Sequence, residues 1–278
     1  MVIEIIKFIF YAMIIVLISK YILVVTLRKL AENLNLKPQT VGSIAGIATS
    51  IPELLTISIS SIKGLLGTSI YNIISSNIIN FLQYMISLII HKNYKILKNK
   101  AIKIQLILVI LTILIPIVLL GFNIEINIVW IPILLILYIL FIQISKRSHK
   151  KYFKNEDNEL VNAEKYKEEI EKKTNKKTYV YIIYLILSGI LLYLVGNELG
   201  KVLENLANIF NISQVILGIL LGFITSIPEL VTFFESQKHY KENIMLGVIE
   251  ATNNLLTSNI LNLFLIQAIG LLVYYIFI

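Results

Sequence analysis

One eight-residue segment occurs twice in this chain, and both copies lie inside apolar stretches. Residues 49–56 read TSIPELLT and residues 225–232 read TSIPELVT, so seven of the eight letters repeat. Each copy brings a carboxylate and a proline, and a proline inside a helix removes a backbone hydrogen bond and bends or breaks the helix. Broken helices at corresponding positions of two halves are typical of substrate sites in membrane transporters. The repeat therefore predicts a fold built around two related, discontinuous helices.

The composition places the chain in a membrane. Of its 278 residues, 57% are hydrophobic and the mean hydropathy is +0.81, whereas soluble domains are about 45–50% apolar. Cysteine is absent, which excludes a disulfide framework and thiolate metal sites. A net charge of +8 could indicate a nucleic-acid partner, but the basic residues cluster between apolar runs, as the positive-inside rule describes. We therefore expect the lipid bilayer as a partner and no nucleic acid.

Eight apolar runs are long enough to cross a bilayer, which takes about 20 residues. We number them spans 1 to 8: roughly 3–28, 39–62, 65–90, 102–121, 127–145, 179–204, 212–235 and 243–275. Span 8 is long, and we expect it to bend or break. The first run lacks a signal-peptide cleavage site, so we interpret it as a retained membrane helix.

Basic residues occur in alternate loops. They fall within residues 28–37, 92–103, 146–177 and 238–241, whereas residues 121–127 and 204–214 contain no Lys or Arg. Basic loops stay on the cytoplasmic side, so we predict a multi-pass protein of the cell membrane with its N-terminus outside. The charged stretch 146–178 is predicted to be a cytoplasmic linker between an N-terminal half, 1–145, and a C-terminal half, 179–278. A calcium-binding loop is the alternative there, but no D-x-D-x-D-G spacing supports it.

The two copies of the segment point in opposite directions through the membrane. The first lies on span 2 and the second on span 7, and five crossings separate them. A second pair agrees, because residues 76–80 read SNIIN on span 3 and residues 258–262 read SNILN on span 8. We predict an all-α, polytopic membrane helix bundle with two inverted repeats, 39–90 and 212–265. The second repeat holds six extra residues, which we place between residues 235 and 243.

Each copy of the segment collects hard oxygen donors on one helical face. Glu53 follows Thr49 by four residues and Ser50 by three, which places the three side chains together. Pro52 cannot donate a hydrogen bond to the carbonyl of Ala48, which frees that oxygen. The second copy repeats the set with Thr225, Ser226, Glu229, Pro228 and Ile224. Such donors suit calcium, sodium or magnesium better than softer metals.

Spans 3 and 8 each carry a polar stripe with a period of four residues. The stripes are Asn72, Ser76 and Asn80, and Asn254, Ser258 and Asn262. Polar side chains in a membrane helix face the bundle interior, because lipid offers them no hydrogen bonds. Close approach of a neighbouring backbone is predicted at four glycines that precede the segments, Gly42, Gly46, Gly218 and Gly222. Glu250 extends the span 8 stripe to about 18 Å from Asn262, at 1.5 Å per residue, nearer the cytoplasmic mouth.

Two interpretations stand beside each other for these side chains. Ser, Thr and Asn often hold membrane helices together through interhelical hydrogen bonds, so each of them has a packing explanation. A buried carboxylate is costly unless a function requires it, which favours a functional role for Glu53 and Glu229. For Glu250 the sequence supports a functional and a structural role equally.

At these residues the chain resembles the cation/calcium exchanger superfamily, which includes sodium/calcium exchangers. That family carries a G-T-S-x-P-E motif on helices 2 and 7, matched here by Thr49, Ser50, Pro52 and Glu53 and by Thr225, Ser226, Pro228 and Glu229. It carries a G-N-x-x-G-S-N-x-x-N/D motif on helices 3 and 8, matched by Asn72, Ser76, Asn77 and Asn80 and by Asn254, Ser258, Asn259 and Asn262. The resemblance covers most of residues 39–90 and 212–265.

The resemblance implies a secondary antiporter that exchanges calcium, or a similar divalent cation, for sodium or protons by alternating access. It implies four cation sites at the bilayer midplane, ions as the only substrates and no cofactor. The implied ligands are the carboxylates Glu53 and Glu229, the hydroxyls of Thr49, Ser50, Ser76, Thr225, Ser226 and Ser258, the amides Asn80 and Asn262, and carbonyls near Gly46 and Gly222. Spans 1 and 6 are expected to slide against the other helices.

The chain departs from the family pattern in three respects. Where the family has a glycine before Thr-Ser, this chain has Ala48 and Ile224. The glycines of the second motif are replaced by Tyr71, Ser75, Asn253 and Thr257, and these larger side chains can alter helix packing or ion access. Asn262 stands where many sodium/calcium exchangers have an aspartate, so two formal negative charges remain and we predict a smaller ion stoichiometry, electroneutral or proton-coupled. Family members usually carry ten helices, whereas 16 residues follow Asn262 here, so we expect helices 9 and 10 to be missing. Lipid or a second copy in a homodimer would then cover the flank of span 8.

Two other functions compete with antiport. A protein of this fold that no longer transports would be a membrane scaffold or sensor; the lost glycines and helices favour it, and the intact glutamate pair speaks against it. A membrane enzyme lacks a motif, since His91, His149 and His239 lie near loops and no Ser-His or H-E-x-x-H arrangement occurs. We predict a transporter and not an enzyme.

Overall fold

The computed structural model describes residues 2–34, 36–122, 124, 126–153, 178–210, 213–240 and 243–278, and this part of the chain contains no β-strand. Its helices, in chain order, are α1 (Val2–Ile18, Ser19–Leu23 and Val24–Asn33, without interruption), α2a (Pro38–Thr49), α2b (Ile51–Ile62), α3 (Leu66–Ile90), α4 (Lys100–Gly121), α5 (Trp130–Phe153), α6 (Thr178–Phe210), α7a (Gln214–Thr225), α7b (Ile227–His239) and α8 (Ile244–Ile260, Leu261–Ile266 and Gln267–Phe277, without interruption). A short 3-10 helix, Tyr94–Lys98, precedes α4.

The predicted all-helical membrane bundle is confirmed. Within the described ranges, the seven runs from α2 to α8 are each long and apolar enough to cross a membrane. The helix α1 adds an eighth run, since its π-helical stretch Ser19–Leu23 is flanked by helical dihedral angles on both sides. The helix α8 has a similar π-helical stretch, Leu261–Ile266, and continues through it. The protein is therefore a multi-pass membrane protein.

The helices α5 and α6 extend furthest beyond the ends that hydropathy predicts. Spans 5 and 6 are predicted to end near residues 145 and 204, whereas α5 reaches Phe153 and α6 reaches Phe210. The apolar run ends earlier, but Lys, Arg, Glu and Asn are compatible with a helix that continues into water. The predicted linker 146–178 thus begins as helix, and its residues 154–177 lie outside the described residues.

Both copies of the repeated segment interrupt their helix in the same way. The break lies at Ser50, with φ −82° and ψ 2°, and at Ser226, with φ −81° and ψ 0°. Pro52 and Pro228 follow in the first turn of the second half-helix, where a proline is tolerated because first-turn N–H groups have no intrahelical acceptor. The same geometry at the two breaks confirms the predicted pair of discontinuous helices.

Each first half-helix crosses a continuous helix of the other repeat, α2a on α8 and α7a on α3. A Cβ placed on Gly46 would lie 2.7 Å from the carbonyl oxygen of Asn254 and 2.9 Å from the Cβ of Thr257. A Cβ on Gly218 would lie 2.7 Å from the Cβ of Tyr71. These distances are too short for a real side chain, so the crossings require glycine, as predicted.

The residues that depart from the family motifs lie on these crossings. Facing each other are Tyr71 and Gly218, Ser75 and Gly222, Asn253 and Gly42, and Thr257 and Gly46. Side chains on α3 and α8 therefore fill the space that glycines on α7a and α2a leave, and their bulk does not hold the helices apart. At the other departures, Ile224 is buried and Ala48 half-buried in an apolar cluster with α1 and α6.

The helices α1 and α6 pack side by side over the broken helices. α1 contacts α2a and α7b, which the predicted topology places towards the cytoplasm, whereas α6 contacts the outer halves α2b and α7a. The first half-helices contribute Ala45 and Leu221 to the apolar cluster shared with α1 and α6. The second half-helices contribute Ile57 and Phe233 to a larger cluster shared with α3, α4, α5 and α8. The broken helices thus lie between two apolar layers.

The six extra residues of the second repeat lie mostly in α8, not where we predicted them. α7b is one residue longer than α2b, the following connection has one residue more, and α8 begins four residues earlier than α3 relative to their motifs. The placement between residues 235 and 243 therefore accounts for only part of the insertion. A helix can gain a turn at its start, here residues 244–247, without disturbing its crossing with α2a.

Candidate cation-binding site

Glu53 and Glu229 occupy equivalent places at the two breaks. Each lies in the first turn of a second half-helix, and neither side chain has any solvent exposure. Thr225 lies beside Glu53, Thr49 lies beside Glu229, and the two carboxylates are close enough for their charges to interact. The N-terminal end of a helix favours negative charge. The fold therefore brings both copies of the segment into one buried site.

Ser258 connects α8 to the breaks of both repeats. Its hydroxyl donates to Oε1 of Glu229 at 3.0 Å and lies 2.9 Å from the hydroxyl of Ser50. The amide of Asn80 donates to the same hydroxyl at 3.3 Å. Ser50 also donates to the carbonyl of Gly46 at 2.8 Å. Five of the predicted site residues, from four helices, are thus in direct contact.

Ser76 has the equivalent place on α3. Its hydroxyl donates to Oδ1 of Asn72 at 3.2 Å and to the carbonyl of Gly222 at 3.4 Å, and lies 3.5 Å from the hydroxyl of Thr225. On the other half-helix, Thr49 donates to the carbonyl of Ala45 at 2.9 Å. The carbonyls near Gly46 and Gly222 therefore face the breaks from both repeats.

Several buried oxygens in the repeated motifs accept no hydrogen bond among the described residues. They are both carboxylate oxygens of Glu53, Oε2 of Glu229, Oγ of Ser226, and Oδ1 of Asn77, Asn80, Asn254 and Asn262; Nδ2 of Asn262 also lacks a partner. Buried polar atoms are normally paired, because an unpaired one loses its hydration without compensation. The three unpaired carboxylate oxygens of Glu53 and Glu229, which occupy duplicated positions, need positive charge or donors. A bound cation meets that need.

The first asparagine of each polar stripe joins its helix to a second half-helix. Asn72 donates to the hydroxyl of Thr56 at 2.9 Å, and Asn254 donates to the hydroxyl of Thr232. These bonds join α3 to α2b and α8 to α7b, so their amide groups support the packing interpretation. Thr56 and Thr232 are the last letters of the repeated segment, and the repeat itself was the signal that could have identified them.

Asn77 and Asn259 form a reciprocal pair that the sequence interpretation left without a role. Asn77 donates to the backbone carbonyl of Asn259 at 3.2 Å, and Asn259 donates to that of Asn77 at 3.1 Å. The two residues occupy the same motif position in α3 and α8. Their exchange of hydrogen bonds joins the repeats across the pseudo-twofold axis.

The site contains two carboxylates and otherwise neutral donors. Asn80 and Asn262 are fully buried. No group of three or more His, Cys, Asp or Glu side chains occurs in the parts of the chain that the structure describes. Glu250 lies apart from the site, where it accepts hydrogen bonds from Arg28 and Ser236, each at 2.6 Å. These contacts show that the Glu250 carboxylate is paired, which is compatible with both of its interpretations.

The chain is similar to known membrane proteins over most of its length. The family model for sodium/calcium exchanger protein matches residues 5–146 and 180–277. A structure of the sodium-calcium exchanger NCX_Mj soaked with 100 mM Na+ and 10 mM Sr2+ is 25% identical, with a TM-score of 0.62 over 98% of this chain and 83% of that chain. The same exchanger with 10 mM Na+ and zero Ca2+ gives 25% identity and a TM-score of 0.61 over 98% and 84%. An uncharacterized membrane protein of Methanocaldococcus jannaschii is 29% identical over 81% of this chain and 70% of its own length.

Proposed function

The chain belongs to the sodium/calcium exchanger protein family, whose members are cation transporters and not enzymes, and we propose that it exchanges calcium, or a similar divalent cation, for sodium or protons. We propose that exchange proceeds by alternating access around the site at the two helix breaks. Inverted repeats with discontinuous helices provide the architecture for such a cycle.

The observation that carries this proposal is the excess of buried oxygen acceptors at the breaks. Both oxygens of Glu53 and one of Glu229 accept no hydrogen bond, although the two side chains are fully buried. Calcium takes about six to eight oxygen ligands, and carboxylate, hydroxyl, amide and carbonyl oxygens all suit it. The ligands we propose are the twelve residues predicted from the sequence, with Glu53 and Glu229 supplying the charge.

Exchange follows if both kinds of ion use the same two carboxylates. A calcium ion balances the two negative charges, and so do two monovalent ions. A loaded site with excess charge would be costly to bury at membrane depth. We therefore propose an exchange of one calcium ion for two monovalent cations, because Asn80 and Asn262 add no further charge.

This stoichiometry has an electrical test. Uptake of calcium into proteoliposomes should not change when a potassium diffusion potential is imposed with valinomycin, since no net charge would cross. Asn262→Asp restores a third carboxylate, and its uptake should become voltage-dependent. A clear transport current from the unmodified protein would overturn the proposed stoichiometry while leaving calcium exchange intact.

The exchange itself is tested by radioactive calcium uptake into proteoliposomes loaded with sodium or, in a parallel arm, with protons. We expect uptake in one arm only, and no uptake from Glu53→Gln or Glu229→Gln. Glu235→Gln is the matched control, because Glu235 lies on α7b but its side chain is 35% exposed and its carboxylate is 3.5 Å from Lys238. Calcium binding without uptake in either arm would overturn antiport and favour the non-transporting sensor.

Orientation and assembly stay predictions. We propose that the N-terminus is outside and that the stretch 146–178 is cytoplasmic. The end of α8 is apolar and exposed, with Ile276 and Ile278 65% and 67% accessible, and lipid or a second copy of the chain would cover it. Crosslinking in native membranes distinguishes a monomer from the proposed homodimer.

A further inference from the structure

Two ion pairs tie the helices α1 and α6 to the rest of the protein at opposite faces of the membrane. Arg28, near the end of α1, pairs with Glu250 of α8 at 2.6 Å. Glu204, near the end of α6, pairs with Lys63, which follows α2b. The offset of 176 residues that relates the two repeated segments also relates Arg28 to Glu204. Arg28 and Glu204 therefore hold equivalent places on α1 and α6, whereas their partners are not equivalent, because Arg28 pairs with α8 and Glu204 pairs with the residue that follows α2b.

The inner pair is buried and has further partners. The side chains of Arg28 and Glu250 are 13% and 3% exposed. The second carboxylate oxygen of Glu250 accepts a hydrogen bond from Ser236 of α7b at 2.6 Å. The guanidinium of Arg28 lies 5.8 Å from the ring centre of Tyr240. One cluster thus joins α1, α7b and α8 at the end of the bundle that we place in the cytoplasm.

The outer pair is different, because water reaches it. The side chains of Lys63 and Glu204 are 38% and 33% exposed. They border a small groove between α2b, α6 and α7a that is also lined by Thr56, Ser60 and Gly200. Thr56 is one helical turn from Glu53, so the groove extends from the outer face towards the proposed cation site.

The equivalent inner positions are more deeply buried. Ser236 corresponds to Ser60 and is 1% exposed, against 7% for Ser60, since Ser236 lies against Glu250. Val24 of α1 corresponds to Gly200 of α6 and is 5% exposed. The same framework therefore surrounds a narrow groove beside a hydrated ion pair on one side and a packed ion-pair cluster on the other.

We propose that Arg28 and Glu250 form a latch that closes the cytoplasmic route to the cation site. α1 packs on α2a and α7b, so α1 must separate from α7b and α8 before that route opens, and this separation breaks the ion pair. The buried pair is held in place by a further hydrogen bond from Ser236 to Glu250, whereas the exposed outer pair is screened and weak. The latch thus favours the form that is accessible from outside.

The purpose of the latch rests on the proposed antiport, but its effect on conformation can be tested without measuring transport. The chain has no cysteine, so single cysteines can report on each side without background. Ala45→Cys reports on the inner side, because Ala45 is buried beneath α1. Ser60→Cys reports on the outer groove.

The experiment measures the rate at which a membrane-impermeant maleimide modifies each reporter in vesicles of known orientation. Glu250→Gln and Arg28→Gln should each raise the modification rate of the position 45 reporter from the cytoplasmic side by about tenfold. Both variants should also lower the modification rate of the position 60 reporter from outside, since a shifted two-state equilibrium changes both rates. Glu204→Gln is the matched control and should change either rate by less than about twofold, as expected for an exposed pair.

The double variant Arg28→Gln with Glu250→Gln covers the case in which one unpaired charge unfolds the protein, since it leaves no charge buried alone. It should show the same faster inner labelling. Unchanged rates in the double variant would overturn the latch, and so would faster labelling at both reporters, which indicates loosening and not a switch. Faster inner labelling in a protein that fails the calcium uptake test would retain the latch and reject antiport.

Discussion

The two helix breaks have nearly the same sequence but different surroundings. The segments at residues 49–56 and 225–232 are nearly identical, and their breaks share the same backbone angles. Around them, the outer end borders a groove beside an exposed ion pair, and the inner end is closed by Arg28, Glu250 and Ser236. The comparison teaches that nearly identical segments give the same helix break, whereas residues outside the segments determine what surrounds each break.

A smaller asymmetry exists within the site. Ser258 donates to Glu229, whereas neither oxygen of Glu53 accepts a hydrogen bond from the described residues. The two carboxylates are therefore equivalent in position but not in partners. Glu53 has two carboxylate oxygens without a hydrogen-bond partner, and Glu229 has one.

The largest expected effect tests the equivalence of the carboxylates directly. Glu53→Gln and Glu229→Gln should each reduce calcium uptake by at least about 100-fold, because removing one partner of a buried charge interaction costs several kcal/mol. Equal losses would support one shared site. Substantial uptake by either variant would break the symmetry between the repeats.

A second prediction tests the two crossings. Gly46→Ala and Gly222→Ala should each destabilise the protein by about 1–3 kcal/mol, since the new methyl group meets the backbone oxygen of Asn254 or Asn72 at 2.7 Å. Thermal unfolding in detergent measures the change. Gly121→Ala is the control, because a Cβ there meets nothing within 4 Å. A large effect at only one of the two crossings would mean that the repeats pack differently.

The reciprocal pair at the pseudo-twofold axis gives a smaller effect. Asn77→Ala or Asn259→Ala should cost about 0.5–1.5 kcal/mol, the range for interhelical hydrogen bonds in membranes. The double variant should cost less than the two single variants together, because the bonds are coupled. Unfolding of the four proteins under one set of conditions provides the comparison, and strict additivity would contradict a shared network.

The smallest effect is expected at the outer ion pair. Lys63→Gln should change stability by less than about 1 kcal/mol, because an exposed pair is screened by water. Arg28→Gln should cost several times more, since it leaves Glu250 buried without its partner. Measured side by side in the same unfolding assay, similar values for both would remove the contrast between the two ends.

Much of the fold could be predicted from local patterns. Hydropathy indicated the eight helices, and the exact repetition with an odd number of crossings indicated their inversion. Pro52 and Pro228 located the breaks, because a missing N–H has the same consequence in any helix. The oxygen-rich character of the site followed from the residue types alone. The ends of α5 and α6 were harder to predict, since polar residues can continue a helix as well as end it.

Side-chain pairing was decided by the tertiary structure. Arg28 and Glu250 are 222 residues apart, and no local pattern connects them; they meet because α1 and α8 end at the same face. The crossing of α2a on α8 likewise places Asn253 and Thr257 opposite glycines. The glycines leave space for these two larger side chains, which the motif comparison marked as departures. Periodicity records which face of a helix is polar, but the partner of each polar group depends on how distant helices cross. That geometry separates the amides that hold the bundle together from the oxygens that are left without a hydrogen bond.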